Sequence, residues 1–305
     1  MYHFIINPHS KTGKAKELWQ GLRQRLENES INYKEYFTTG HGHATQIAKE
    51  ICTIDNERKT IVIVGGDGTA NEVINGIDNY EDVLLGYIPM GSSNDLARGL
   101  LLPKNPAEAL DRVLNPRKIR AVDHGQVTFE DGLPRRFSVS SGIGYDAAIC
   151  QVAQTTKIKN FLNKIGIGKL TYFLIGVKEI FANKPCDATV IADGITYSVK
   201  NLIFMASLIH KCEGGGLLMA PDASDNDRKL SICLVSNIPK LKILFVMPTI
   251  FLGKHTKIKG VQMITCSSVS IHTQSPLYVH TDGEVLGEHT DLTLRCTSEQ
   301  VNIIT

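Results

Sequence analysis

Apolar positions in the first 120 residues follow two alternating spacings, which predict a series of strands and helices. Strands are indicated by short runs rich in β-branched and aromatic residues, at Tyr2–Ile6, 33–38, 61–64 and 84–89. Helices are indicated by apolar residues that recur three or four positions apart, at 15–26, 42–51 and 96–101. Strand–helix alternation of this kind predicts an α/β domain whose parallel sheet is covered by helices on both faces.

Three polar or glycine-rich loops, at 7–14, 65–69 and 91–95, follow predicted strands. Ligands of parallel sheets bind beyond the carboxyl ends of the strands, so we expect these loops to converge on one crevice. The glycines of the middle loop let backbone N–H groups approach an anion, ahead of a helix that we expect to start at Asn71. Asp67 in this loop would repel a bare phosphate. A bridging Mg²⁺, or an orienting role for Asp67, therefore explains the loop better than the alternative, a turn with glycines for steric reasons alone.

The pattern changes after Val122. Short alternating runs there predict strands, at 127–129, 136–139, 188–192, 195–197, 202–206, 230–235, 261–264, 269–272, 277–280 and 292–295. Asp193-Gly194 between two such runs is a two-residue hairpin signal. We expect an antiparallel sandwich or barrel, with helices inserted at 170–181 and 241–252. The predicted domains are therefore α/β at 1–122 and β-rich at 123–305, and pairing of the strand-like 301–304 with the first domain is left open.

Composition narrows the class of protein. The 305 residues suggest two domains, and the 42% hydrophobic and 21% charged content is ordinary for a globular protein. A net charge of +2 gives no overall basic field, so we expect no nucleic-acid partner. Seven cysteines without Cys-x-x-Cys pairs indicate reduced thiols and a cytoplasmic protein. The longest uncharged apolar run, 243–253, contains Pro248 and is shorter than the roughly 20 residues of a membrane-spanning helix.

The motif set resembles the diacylglycerol kinase catalytic-domain family, and within it the soluble bacterial lipid kinases, over nearly the whole chain. In the first domain the resemblance rests on Asn7-Pro8 with Ser10, Thr38 before Gly42-His43-Ala44, Gly65-Gly66-Asp67-Gly68-Thr69 with Asn71-Glu72-Val73, and Pro89-Met90-Gly91-Ser92 with Asn94-Asp95 and Ala97-Arg98. In the second domain it rests on Pro221-Asp222-Ala223, Gly253-Lys254-His255-Thr256 and Asp282-Gly283-Glu284. The glycine-rich loop alone is shared with NAD kinases and phosphofructokinases, whereas the combination is much more specific.

This resemblance implies a nucleotide-binding α/β domain joined to a β-rich lipid-substrate domain, with the active site between them. It implies transfer of the γ-phosphoryl group of ATP to a lipid hydroxyl, and hence a part in phospholipid metabolism. The positions implied for ATP binding are Asn7, Pro8, Ser10, Thr38, Gly65, Gly66, Asp67, Gly68, Thr69, Asn71, Glu72 and Ser92, the last a serine where the family usually has threonine. Turn formation or helix capping is the alternative for the small polar residues among them.

The resemblance also implies catalytic roles for Glu284, Asp282 and Asp67. Glu284 would accept the proton of the attacking lipid hydroxyl, while Asp282 and Asp67 would set the metal and the base. The pattern alone favours a simpler interpretation, because Asp-Gly after an alternating run is a common hairpin turn.

The acidic segment 222–227 resembles the structural Mg²⁺ loop of the family. Asp227 would be a ligand together with the backbone carbonyls of Ser224 and Lys229. The sequence departs from the family at Arg228, where glycine is usual, and at Ser231, where aspartate is frequent. A non-glycine residue resists positive φ, so a solvated acidic turn is the alternative. Lys11 likewise stands where the nucleotide loop often has glycine, and Lys11 or Lys14 would then meet phosphates directly.

A lipid substrate requires access to a bilayer. The predicted helices 170–181 and 241–252 are strongly apolar, and the second is flanked by five lysines, Lys240, Lys242, Lys254, Lys257 and Lys259. Such segments suit an anionic membrane surface, so we expect transient peripheral contact with the inner membrane, although core helices are the alternative. A homodimer is compatible with the sequence. The competing functions are a catalytically silent lipid- or nucleotide-binding regulator and a kinase of a soluble substrate such as NAD.

Overall fold

The computed structural model describes residues 1–13, 15–54, 57–130, 132–155, 176–182 and 184–305. The chain forms two compact units. Unit 1 comprises Met1–His124, Gly214–Gly216 and Thr297–Thr305, and unit 2 comprises Gly125–Glu213 and Leu217–Cys296. Two strands pass from one unit to the other along the chain.

The described strands are β1 (Tyr2–Ile6), β2 (Tyr33–Phe37), β3 (Lys59–Gly65), β4 (Val83–Pro89), β5 (Ile119–Phe129), β6 (Arg135–Phe137), β7 (Ser140–Gly144), β8 (Cys186–Ala192), β9 (Ile195–Leu208), β10 (Leu230–Ser236), β11 (Val261–Cys266), β12 (Ser268–Thr281) and β13 (Glu284–Ile304). The described α-helices are α1 (Ala15–Asn28), α2 (His43–Cys52), α3 (Asp67–Asn75), α4 (Asp95–Gly99), α5 (Pro106–Leu114), α6 (Tyr145–Thr155) and α7 (Lys240–Ile250). Short 3-10 turns lie at Ser10–Gly13, Tyr80–Asp82 and Lys254–Lys257.

Unit 1 is built on a parallel sheet with the strand order β2-β1-β3-β4. The middle of β3 is buried on both faces, from Ile61 to Val64, as expected for a parallel sheet covered by helices. Trp19 and Leu22 of α1 pack on this sheet beside Phe4. Each such side chain contributes about 1.5–3 kcal/mol by leaving water. The α/β fold predicted from the sequence is confirmed.

The last residues of the chain complete the sheet of unit 1. Asn302 pairs with Leu84 and Ile303 with Leu85, both in the parallel sense. Thr305 and Lys118 also exchange two backbone hydrogen bonds, of 2.8 and 3.2 Å. The strand-like segment at the C-terminus thus pairs with the α/β unit.

Unit 2 is an antiparallel assembly with the strand order β11-β10-β9-β7-β12-β13, and β8 pairs with both β9 and β12. The predicted β-rich architecture is confirmed. The separate strands predicted at 269–272 and 277–280 are wrong, because both belong to β12, which has an irregular register between His272 and Leu277. Pro276 lies at this irregularity, where a missing backbone N–H is tolerated.

Two helical predictions have different outcomes. The helix predicted at 241–252 is α7, and it ends at Ile250 rather than Leu252. In the helix predicted at 170–181, residues 170–175 lie outside the described part of the chain, and 176–182 are helical. Among the described residues, none of the helices combines the length and apolar character needed to cross a bilayer.

Candidate active site

The loops that follow β1, β3 and β4 meet at the carboxyl edge of the sheet in unit 1. The backbone N–H of Asn7 donates to the carbonyl of Val64, and its side-chain amide donates to Oγ1 of Thr69 at 3.1 Å. Thr38, just after β2, is buried and donates its backbone N–H to the carbonyl of Ile6. The strand ends therefore lie together at this edge of the sheet, as the sequence led us to expect.

Two glycines allow the second and third loops to touch through their backbones. A Cβ atom on Gly66 would lie 2.9 Å from Cα of Gly91, and a Cβ on Gly91 would lie 2.5 Å from Cα of Gly66. Contacts of this length do not form between real side chains and backbone. Gly66 and Gly91 are thus required by close approach, since neither has a positive φ.

Helix α3 begins directly inside the glycine-rich loop. Its first residue is Asp67 and its N-cap is Gly66, which provides no side-chain cap. An N-terminus capped only by glycine suits an anion, because the first-turn N–H groups have no partner within the helix. Our prediction that the helix starts at Asn71 is wrong. Helix propensity is low for glycine, so the local sequence hid the first turn.

The early start of α3 places Asn71 and Glu72 in its second turn, where both are buried. The Glu72 carboxylate accepts hydrogen bonds from the backbone N–H groups of Gly42 at 2.9 Å and Ala44 at 3.0 Å. Both donors belong to the start of α2, so Glu72 caps that helix from outside and stabilises its dipole. Contact of Asn71 and Glu72 with ATP stays a prediction.

Asp67 links the glycine-rich loop to the loop after β4. Its Oδ1 accepts from the backbone N–H of Leu96, in the first turn of α4, at 3.2 Å. Asn94 occupies the N-cap position of α4 but does not cap it with its side chain. That side chain turns back to Gly91, accepting from its N–H at 2.7 Å and donating to its carbonyl at 3.0 Å.

Asp95 and Arg98 hold the distant segment Gly214–Gly216 in unit 1. Oδ2 of the buried Asp95 accepts from the backbone N–H of Gly215 at 2.7 Å, and the guanidinium of Arg98 donates to the Gly215 carbonyl at 3.4 Å. Both residues were seen in a family motif but were not among the expected site residues. The only sequence signal for this contact is the run of three glycines.

The remaining expected ATP contacts lie around the same edge. Pro8 and Ser10 follow β1, and Ser10 donates its backbone N–H to the carbonyl of Asn7 at 3.2 Å. Ser92 is exposed in the loop after β4. Gly65 lies against Thr69, because a Cβ on Gly65 would be 2.6 Å from the Thr69 hydroxyl. Gly68 is in the first turn of α3, beside Asp67.

In unit 2 the triplet Asp282-Gly283-Glu284 forms the turn between β12 and β13. Thr281 pairs with Glu284, and φ is 47° at Asp282 and 85° at Gly283, the signs required by a type I′ hairpin. The Asp282 carboxylate accepts four hydrogen bonds of 2.8–3.0 Å from residues 138–140: three from backbone N–H groups and one from the Ser138 hydroxyl. These four donors occupy both oxygens, so Asp282 anchors the turn rather than offering a free metal ligand.

Glu284 is half-buried and forms an ion pair with Arg135, whose Nη2 lies 2.7 Å from its Oε2. Behind the turn, the backbone N–H of Gly283 donates to Nδ1 of His280 at 3.3 Å. Nε2 of His280 lies 3.3 Å from the carboxylate of Asp146. Burial lowers the pKa of the His280 imidazole, but the bond to Asp146 and nearby carboxylates outweigh burial and raise that pKa above its usual value.

Comparison with known proteins assigns both parts of the chain. The model of the diacylglycerol kinase catalytic domain matches residues 1–127. The model of the YegS C-terminal NAD kinase beta sandwich-like domain matches residues 138–305. The chain belongs to the diacylglycerol kinase-like family. The resemblance found in the motifs is thereby confirmed, and membership of a kinase family implies ATP as the phosphate donor.

Relatives that match this diacylglycerol kinase-like protein over most of their length occur in several bacteria. YtlR of Bacillus subtilis (strain 168), named provisionally as a lipid kinase, is 28% identical over 290 residues, or 94% of each chain. A Bacillus subtilis diacylglycerol kinase is 27% identical over 285 residues, which cover 93% of this chain and 89% of its own. A Mycobacterium tuberculosis diacylglycerol kinase is 26% identical over 282 residues, which cover 92% of this chain and 87% of its own.

Solved structures share the fold. A crystal structure from Bacillus anthracis str. Sterne, titled provisionally as a diacylglycerol kinase, has a TM-score of 0.78 at 22% identity, covering 99% of this chain and 96% of its own. An NAD kinase from Archaeoglobus fulgidus in complex with ATP has a TM-score of 0.52 at 12% identity. The match covers 100% of this chain and 94% of the NAD kinase. These identities support similarity of fold only.

Two residues of this diacylglycerol kinase-like protein stand where we expected glycine from the family, and both have left-handed backbones. φ is 53° at Lys11 and 59° at Arg228. Our argument that Arg228 would resist positive φ is wrong, because the turn imposes that conformation on arginine. Lys14 lies outside the described residues.

The expected metal loop is an oxygen-rich turn. Oδ1 of the exposed Asp227 accepts from the backbone N–H of Lys229 at 3.0 Å, and the hydroxyl of Ser224 donates to Oδ1 of Asn226 at 2.9 Å. Carboxylate, amide and hydroxyl oxygens are donors that Mg²⁺ prefers. The loop therefore has suitable donors, although Asp227 already shares one oxygen with Lys229.

Proposed function

We propose that this protein is an ATP- and Mg²⁺-dependent lipid kinase that phosphorylates the hydroxyl of diacylglycerol or a related lipid. The observation that supports it most directly is the backbone contact between Gly66 and Gly91, next to the uncapped N-terminus of α3. The contact brings the loop after β4 against the start of α3, and a helix N-terminus without a side-chain cap favours the binding of a phosphate.

Within unit 1 the proposed roles follow from position. Gly66, Gly68 and Thr69 present the first turn of α3 to the phosphates of ATP. Asn7 fixes the Thr69 hydroxyl through its side-chain amide. Asp67 is tied by one oxygen to the start of α4, which holds its carboxylate at the loop edge. Ser10, Thr38 and Ser92 are proposed as further contacts to the nucleotide.

The proposed transfer conserves atoms and charge. The lipid hydroxyl oxygen forms a bond to the γ-phosphorus of ATP, the bond from that phosphorus to the β–γ bridging oxygen breaks, and ADP leaves. The hydroxyl proton passes to the Glu284 carboxylate. The ion pair with Arg135 requires Glu284 in its ionised form, which is the form that accepts a proton.

Mg²⁺ would neutralise charge on the phosphates, with Asp67 as the side chain that holds it in unit 1. Asp282 is proposed to act by positioning, since its four hydrogen bonds hold the turn in which Glu284 lies. The loop containing Asp227, Ser224 and Lys229 is proposed as a separate structural Mg²⁺ site.

The decisive experiment offers radiolabelled ATP and Mg²⁺ with diacylglycerol, other hydroxyl lipids and NAD as separate acceptors. We expect labelled lipid from the wild type. Glu284→Gln should lower the rate by about 10²–10⁴-fold, because it removes the base. Ile195→Gln is the matched control, since Ile195 follows the Asp193-Gly194 turn of unit 2 and its replacement should leave the rate unchanged.

A second measurement tests unit 1 without turnover. ATP binding should be lost in Gly66→Ala, whose Cβ would meet the Gly91 backbone, and retained in Gly21→Ala, whose Cβ would meet nothing within 4 Å. Labelled NAD without labelled lipid would replace the proposal with a kinase of a soluble substrate. ATP binding without transfer to any acceptor would replace it with a silent regulator.

A further inference from the structure

Apart from Lys240, Lys242 and Thr249, the residues of helix α7 are apolar, and several of these apolar residues face solvent. Ile243, Val246 and Ile250 are buried and pack in the core of unit 2. A helix on the surface of a water-soluble domain normally has polar residues on its outer face. An outer face that is also apolar is typical of a helix that meets a second apolar phase.

The outer face of α7 forms one continuous stripe. Leu241, Phe245 and Pro248 follow each other at spacings of four and three residues, so they lie on the same side of the helix. Phe251 and Leu252 extend the apolar surface past the end of the helix. The four large side chains are 65%, 78%, 64% and 66% exposed, in chain order. Single exposed apolar residues are common on proteins, whereas a group of this kind marks an interaction site.

The charges around this stripe have one sign. Residues 239–260 contain five lysines and no acidic residue, whereas the whole chain has a net charge of only +2. Lys242, Lys254, Lys257 and Lys259 are exposed. Lys240 donates to the carbonyl of Phe181, another exposed aromatic residue, which is thereby held at the start of α7.

We propose that the stripe Leu241, Phe245, Pro248, Phe251 and Leu252 docks on an anionic lipid bilayer, with the neighbouring lysines on the headgroups. Apolar side chains enter the interfacial region and lysines pair with negative lipids, the combination that holds peripheral helices on membranes. The proposal adds a partner to the proposed lipid kinase. It rests on that function for the choice of a lipid partner, but vesicle binding requires no nucleotide and no turnover.

The test is co-flotation of the full chain with vesicles of phosphatidylcholine, or of phosphatidylcholine and phosphatidylglycerol in equal parts. We expect binding to the mixed vesicles and little to the neutral ones. Phe245→Ser should lower the partition coefficient by about tenfold or more. Lys254→Gln and Lys257→Gln should each lower it by about fivefold, and added salt should remove only this second contribution.

Ile195→Ser is the matched control, because Ile195 is 61% exposed in unit 2 but lies beside Asp193 instead of lysines. Its partition should equal that of the wild type. A urea transition for each variant checks that folding is intact, which we expect because these side chains are exposed. Equal losses in Phe245→Ser and Ile195→Ser would overturn the proposal.

A reporter locates the contact. Trp19 is the only tryptophan of the chain and is buried, so a new tryptophan at the surface gives a separate signal. Emission of Phe245→Trp should shift to the blue with mixed vesicles, and that of Ile195→Trp should not. A blue shift that depends on protein concentration without vesicles would instead indicate a second copy of the chain on this face and would overturn the proposal.

The two proposals fail separately. Phosphorylation of a short-chain diacylglycerol in detergent micelles, without vesicle binding by the wild type, would refute docking and leave the kinase. Vesicle binding without phosphorylation of any lipid would refute the kinase and leave docking.

Discussion

Among the residues that the structure describes, two Asp-Gly turns of unit 2 have nearly the same backbone, and one of these two precedes a glutamate. φ is 45° and 84° at Asp193 and Gly194, and 47° and 85° at Asp282 and Gly283. Both connect antiparallel neighbours with two central residues, as type I′ turns do. In both, the aspartate carboxylate binds backbone N–H groups of another segment.

The turns differ in how the carboxylate is used and in the residue that comes after the glycine. Asp193 accepts from the backbone N–H groups of the exposed Ser267 and the half-buried Ser268, and one of its oxygens, Oδ1, reaches both donors. Asp282 divides four donors between its two oxygens. The next residue is Ile195 in one case and Glu284 in the other. The Asp-Gly pair thus specifies a turn in both places, and any chemistry depends on the glutamate and its surroundings.

The largest expected difference between the turns is in the response to Asp→Asn. Asp282→Asn would place an amide N–H₂ against the N–H donors of residues 138–140, and we expect a loss of about 2 kcal/mol in unfolding free energy. Asp193→Asn can keep both of its bonds through Oδ1, so we expect a change within about 0.5 kcal/mol. Urea denaturation of both variants measures the two values. Equal losses would contradict the distinction between the anchors.

The sequence predicted these turns because their signals are local. Strand alternation and the Asp-Gly pair lie within a few residues of each other, and the hairpin at Asp193-Gly194 is as predicted. The donors that bind Asp282 lie 142–144 residues earlier in the chain, so no local pattern announces them. The same limit hid the capping of α2 by Glu72, whose partners are 28–30 residues away.

Other features escaped prediction because their residues suit several structures. Strand β7 has the sequence Ser-Ser-Gly-Ile-Gly, and α6 comes directly after it, so neither shows a clear period. Every residue of β7 is buried, and its place is fixed by pairing with β9 and β12. The glycine-rich loop was identified from its residues. The start of α3 at Asp67 was not, because glycine has a low helix propensity and hides the first turn in the sequence.

A smaller effect should be the same in both turns. A Cβ on Gly194 or Gly283 would meet nothing within 4 Å, so only the positive φ opposes a side chain. Alanine at either position should cost about 1–2 kcal/mol, and asparagine, which tolerates this conformation, clearly less. Thermal unfolding of the four variants measures this. A much larger cost at Gly283 alone would show that its N–H bond to His280 is strained by the substitution.

The pH response should separate the turns again, since Gly283 of the second turn contacts a buried histidine, His280. The pKa of His280 is raised above its usual value, so the protonated form stabilises the fold below pH 6.5 and this contribution is lost as pH rises through the folded pKa. The unfolding free energy should therefore fall over that range in the wild type. Asp146→Asn removes the largest of the contributions that raise the pKa of His280, while Glu213 and Asp282 still raise it against burial. The slope should become shallower in that variant, and an unchanged slope would exclude His280 as its source.

The smallest expected effects concern Arg228 and Lys11, two residues with long side chains and positive φ. Arg228→Gly in unit 2 and Lys11→Gly in unit 1 relieve left-handed strain but add freedom to the unfolded chain, so each should stabilise the fold by at most about 1 kcal/mol.

Arg228→Gly also removes a cation next to Asp227. If the loop binds Mg²⁺, the thermal midpoint of Arg228→Gly should rise with added Mg²⁺ more than that of Lys11→Gly. The same Mg²⁺ response in both variants would mean that Arg228 does not oppose a cation there, and no response in either would count against metal binding at Asp227.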